Sequence, residues 1–107
     1  MQPRLIGTHV VMAIVLMSSA AQAQDVSAGQ RIAQTWCSGC HRINDQDQKT
    51  GNDAVPSFPS LAQMDSTTAM SLAAFLSTPH GRMPDYALSR TEIQNVSVYI
   101  LSLRKAH

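Results

Sequence analysis

The chain has 107 residues, eight Lys and Arg against seven Asp and Glu, and only two cysteines. That length holds one domain, close to the size at which a polypeptide core alone is marginal. The balanced charge and the few lysines, Lys49 and Lys105, give no basic surface for nucleic acid or an anionic membrane.

Residues 1–23 read as a cleaved secretory signal. Arg4 gives a positive start, Val10 to Met17 is an unbroken apolar run, and Ala21-Gln22-Ala23 fits the small-x-small rule before cleavage. The apolar run is short for a membrane span, although an uncleaved N-terminal anchor is the competing reading. The working domain is then 24–107, exported to the periplasm with no stable membrane anchor after cleavage. Loss of Arg4 leaves seven basic residues against seven acidic ones.

Asp25 to Cys37 is expected to be a first helix, capped by Asp25 or Ser27. Val26, Gly29, Ile32, Ala33 and Trp36 recur at intervals of three and four and make one apolar face. Gly29 costs about 1 kcal/mol relative to Ala inside a helix, so another backbone is expected to approach it. Trp36, directly before Cys37, is expected in the core or against the edge of whatever group Cys37 carries.

Cys37-Ser38-Gly39-Cys40-His41 is the C-x-x-C-H pattern of covalent haem attachment. On a helical turn, residues three and four apart share a face. Cys37 and Cys40 can then bond to two haem vinyl groups while His41 offers a nitrogen to the iron. Half of a zinc site and a thioredoxin-type dithiol are the alternatives. No second Cys or His pair completes the first, and no βαβ pattern surrounds the second.

Arg42 to Ser60 reads as a loop, with a turn at Gly51-Asn52-Asp53. An iron-bound histidine needs an acceptor for its other ring nitrogen, and the carbonyl of Pro56 is the candidate, against a plain loop proline. Ser60 to Ala62 is expected to form a short helical turn. Asp65, Ser66 or Thr67 is expected to cap a middle helix over Thr68 to Ser77, with Ala69, Leu72, Ala73 and Leu76 as its stripe and Phe75 beside it. Thr78-Pro79 ends it.

Met83 then stands between Arg82 and Pro84 in a loop with no helical stripe to join. Its thioether suits the sixth position of a haem iron. His80 is the rival ligand, and Met64 and Met70 are weaker candidates. Ser89-Arg90-Thr91-Glu92 is a capping box opening a last helix that runs to Leu103 or Arg104. Ile93, Val96, Ile100 and Leu103 form its stripe, with Tyr99 adjacent, while Arg104 and Lys105 suit the negative end of its dipole.

Together these features resemble the class I c-type cytochromes, in particular the small soluble bacterial monohaem members. Gly29, eight residues before Cys37, and Val96-x-x-Tyr99 look like the pair of sites where the family's first and last helices cross. Pro56-Ser57-Phe58 is similar to the segment whose carbonyl supports the proximal histidine, and Met83-Pro84 to the distal methionine loop. Ala33 stands where the family often has an aromatic, with Trp36 nearby to supply the bulk. The resemblance implies an all-α cytochrome c fold of three main helices, its N- and C-terminal helices crossing, wrapped around one haem c bound through Cys37 and Cys40.

With His41 and Met83 as axial ligands, small molecules cannot bind easily and only the oxidation state changes. The expected function is a monomeric electron carrier between redox partner proteins, not an enzyme. A small haem subunit of a dehydrogenase or oxidase complex, and a ligand-binding sensor or peroxidase-like protein, are the alternatives. The haem-free chain is expected to fold poorly.

Overall fold

In a computed structural model, residues 25–52, 54–79 and 81–106 are described. The expected export signal, Asp53 of the expected turn, and His80 lie outside them. Among the described residues the regular structure is all helical: α1 (Val26–Ile32), a π-helical turn (Ala33–Cys37), α2 (Phe58–Gln63), α3 (Ala69–Leu76) and α4 (Arg90–Ser102). None of these helices is long and apolar enough to cross a membrane.

The Asp25 carboxylate caps α1 by accepting from Ala28 N at 3.0 Å, satisfying one of the helix's unpaired N–H groups. The helix does not continue to Cys37 with α geometry, as its spacing suggested. The Ser38 amide reaches back five residues to the Ala33 carbonyl at 2.9 Å, so the last turn is widened by one residue. Its apolar stripe is also narrower than expected. Gly29 and Ala33 are buried, whereas Val26 and Trp36 are exposed.

α1 packs on α4, and Gly29 is the point of closest approach. A Cβ built there would overlap the Asn95 carbonyl and lie 2.8 Å from Tyr99 Cβ. No larger residue fits without separating the helices, which is why a poor helix former occupies this position. The Asn95 side chain also accepts from Asp25 N at 3.0 Å, tying the start of α1 to the middle of α4.

α4 forms as its sequence indicated. Ser89 Oγ accepts from Glu92 N, and Glu92 Oε2 accepts from Ser89 N at 2.7 Å. Ile93, Val96, Tyr99 and Ile100 are buried, joining Ala33, Cys37, Ile43, Phe58, Ala62 and Leu72 in the core. Two helix starts differ from expectation. α3 is capped by Thr68, not by Asp65, Ser66 or Thr67, because Ser71 answers Thr68 in a reciprocal box. α2 begins at Phe58, inside the expected loop, with Ser57 accepting from Ser60 N and Pro59 in the first turn, where its missing N–H costs nothing.

Arg104 does not serve the end of its own helix. Its Nε donates to the Ala62 carbonyl at 2.7 Å, and its Nη2 to Thr67 at 2.8 Å and Met64 at 3.3 Å. The guanidinium thus ties the chain's end both to the last turn of α2 and to the segment that leads into α3.

Candidate functional site

The π-helical turn delivers the C-x-x-C-H segment. Cys37 ends it, and the Cys37 carbonyl accepts from both Cys40 N (3.2 Å) and His41 N (2.9 Å). Cys37, Cys40 and His41 are therefore held on one tight turn. The hydroxyls of Thr35 and Ser38 donate to carbonyls four residues back, at 2.8 and 2.6 Å, and consolidate the widened segment. Gly39 faces open space, since a Cβ there would meet nothing within 4 Å.

The two thiols differ. Cys37 is buried and Cys40 exposed, and they are not joined to each other. Burial pushes the Cys37 thiol up to about 11. The attacking thiol of a redox dithiol is pushed the other way, so this environment does not suit Cys37 to that role. Among the described residues no three His, Cys, Asp or Glu side chains gather as a zinc site would require.

His41 is half-buried, with its ring 5.3 Å from the Phe58 ring, centroid to centroid. Its Nδ1 lies 2.7 Å from the Pro56 carbonyl oxygen. A carbonyl can only accept, so Nδ1 carries a proton, and in the neutral ring the lone pair falls on Nε2. That is the tautomer a metal-binding imidazole needs, held by the kind of acceptor that orients such ligands.

The loop between His41 and Pro56 is built to put that carbonyl in place. Phe58 N donates to the Arg42 carbonyl at 2.8 Å, pinning the two ends together. Asn44 Oδ1 accepts from Gln46 N and Asp47 N, and Asn52 Oδ1 from Ala54 N and Val55 N, so short Asx turns replace a ladder. Tyr99 Oη donates to the Ile43 carbonyl at 2.8 Å, fastening the loop to α4. Sequence reasoning singled out Pro56 but not the Tyr99 anchor or the Phe58 contact. The only hint was an aromatic set beside the stripe of α4.

Met83 is half-buried in the stretch between α3 and α4. It lines a small cleft with Leu76, Thr78, Pro79 and Leu88, and the polar and aromatic residues that follow it. The rival methionines are more exposed: Met64 caps the end of α2, and Met70 lies in the first turn of α3 at 83% exposure. The structure brings His41 and Pro56 together and sets Cys37 and Cys40 beside them. Trp36 is not a core residue, as was one expectation. It is 47% exposed and stacks on Tyr86, three residues after Met83, with ring centroids 5.2 Å apart.

Comparisons with known proteins give the chain's relatives. The protein-family model described as cytochrome C oxidase, cbb3-type, subunit III matches residues 24–100. The chain is similar to cytochrome c-552 of Bradyrhizobium diazoefficiens, with 39% identity over 104 residues, covering 97% of this chain and 99% of that relative. No solved structure gives a significant match.

Proposed function

The chain belongs to the c-type cytochromes, within the family described as cytochrome c oxidase, cbb3-type, subunit III, and we propose that it is a periplasmic carrier of single electrons with His41 and Met83 as axial ligands. Family membership makes it a monohaem electron-transfer protein with covalent haem c, served by redox partner proteins. When bound, haem c supplies one reversible electron at its iron. The residues present fit that group: two cysteines on one turn, an open face at Gly39, and an imidazole with its Nε2 lone pair free.

The observation that carries the ligation reading is the 2.7 Å contact from His41 Nδ1–H to the Pro56 carbonyl. The carbonyl fixes the ring's tautomer and orientation, and the bond raises the basicity of Nε2. Cys37 and Cys40 are the two thioether positions. Met83 would supply a soft sulfur donor to the group and would keep small molecules from its iron, which favours carriage over catalysis. Residues 1–23 direct export and are removed, leaving 24–107.

The experiment is the visible spectrum of the ferric protein, matured with c-type machinery, beside Met83→Ala. The parent should show the weak sulfur-to-iron charge-transfer band and the variant should lack it. A band that survives the substitution would reject Met83. A low-spin parent without the band would point to His80, and a high-spin parent to an open site.

A further inference from the structure

The Met83 loop carries a feature that ligation alone does not account for. Trp36 lies in the widened turn immediately before Cys37, and Tyr86 follows Met83 by three residues. Fifty positions apart in sequence, their rings meet at 5.2 Å between centroids and 37° between planes. Both remain substantially solvent-exposed, at 47% and 40%. Burial in the core therefore does not explain why these two aromatics meet.

The backbone around Tyr86 needs holding. Ala87 has φ of 50°, a left-handed conformation that a residue with a Cβ rarely adopts. The turn is closed locally by Asp85 Oδ1, which accepts from Ala87 N at 2.8 Å. A strained turn of this kind persists where its surroundings over-determine it. An offset, tilted aromatic pair gives a directional contact of the right strength to do so.

We propose that the Trp36–Tyr86 stack is a latch that restrains the methionine loop against the cysteine-bearing turn and so resists release of Met83 from the iron. This rests on the His41/Met83 reading. Trp36 and Tyr86 are positioning residues. They act through Met83 by joining the segment that carries the sixth ligand to the segment that carries the thioether cysteines. Opening the latch exposes the iron's sixth position to outside ligands without disturbing His41 or Pro56 on the other side.

The test uses the matured ferric holoprotein and imidazole, which competes with methionine for iron. Loss of the charge-transfer band is followed against imidazole concentration in the parent, Trp36→Ala, Tyr86→Ala, the double variant and Trp36→Phe, with Met83→Ala as reference. Each alanine variant should lose the band at about two- to tenfold lower imidazole, the range expected for one aromatic pair. The double variant should lose no more than either single, because one shared contact has gone. Trp36→Phe should recover most of the resistance.

A Trp36→Ala shift below about twofold, single effects that simply add, or no recovery in Trp36→Phe would each overturn the latch while leaving the ligation reading intact. A parent without the band, or a Met83→Ala variant that keeps it, would instead overturn the ligation reading and the latch with it. The parent's far-ultraviolet dichroism in each variant establishes that the comparison is between folded proteins.

Discussion

At Tyr99, one hydroxyl joins the last helix to the loop that supports His41. Its donation to the Ile43 carbonyl at 2.8 Å is buried, so Tyr99→Phe strands an acceptor. We expect a loss of about 1–3 kcal/mol, read as a lower urea midpoint with an unchanged slope. Burial also pushes the Tyr99 phenol above its ordinary value, opposed in part by a hydrogen bond with Asn44. The sign for pH follows. Tyr99 in the unfolded chain ionises above about pH 10 while the folded chain keeps it protonated. The parent thus loses stability as pH rises past that value, and Phe cannot. The gap between parent and Tyr99→Phe should narrow above pH 10, and a gap that widens would reject this role. Among single residues, those with a local chemical need were readable in advance. His41 required an acceptor and Pro56 offered one. The Trp36–Tyr86 contact was not readable, because it depends on where two distant turns end up.

At the scale of elements, readability followed the strength of local signals. The Ser89–Glu92 box marked the start of α4, since Glu at the third position is a specific partner. The start of α3 was misplaced because Ser71 plays that part and serine is common everywhere. Pro56, Pro59 and Phe58 looked like stiff loop, yet a proline in the first turn is compatible with a helix, and Phe58 finds a buried place. The π-helical turn has no composition of its own and could not be foreseen. Arg104 also looked like a charge for its own helix end, whereas its bonds run to Ala62 of α2 and to Thr67 just before α3. Arg104→Ala should therefore cost about 1.5–3 kcal/mol, as expected for hydrogen bonds from a charged donor. Arg104→Lys should restore only part of this, because an ammonium cannot span the Ala62 and Thr67 carbonyls as a planar fork does. Chemical denaturation of the three holoproteins gives the comparison. Equal midpoints for Arg104→Ala and the parent would mean that the clamp adds nothing.

For the whole molecule, the small core sets the first expectation. Its buried apolar set is short, and one of the site's two cysteines, Cys37, lies within it. A Cys37→Ala/Cys40→Ala chain, which cannot be loaded, should show helical far-ultraviolet dichroism but little near-ultraviolet signal. The second expectation concerns docking. Residues 24–107 carry seven basic and seven acidic residues, and the described ion pairs gather on one side. Arg42–Asp45, Lys49–Asp47 and Lys105–Asp45 all involve the loop between His41 and Pro56. The cysteine turn and the methionine loop meet instead through the Trp36 and Tyr86 rings. Encounter through such a surface draws little on long-range attraction. Self-exchange between ferric and ferrous copies tests this without any knowledge of the natural partner, because both reactants are this protein. Between 10 mM and 500 mM salt the Debye length falls from about 30 Å to only a few ångströms. The exchange rate should nonetheless change by less than about threefold. A steep fall with salt would mean that opposite charges on two copies steer the encounter. A steep rise would mean that like charges on this face oppose it. Either result would overturn an encounter made through the aromatic pair without charge steering.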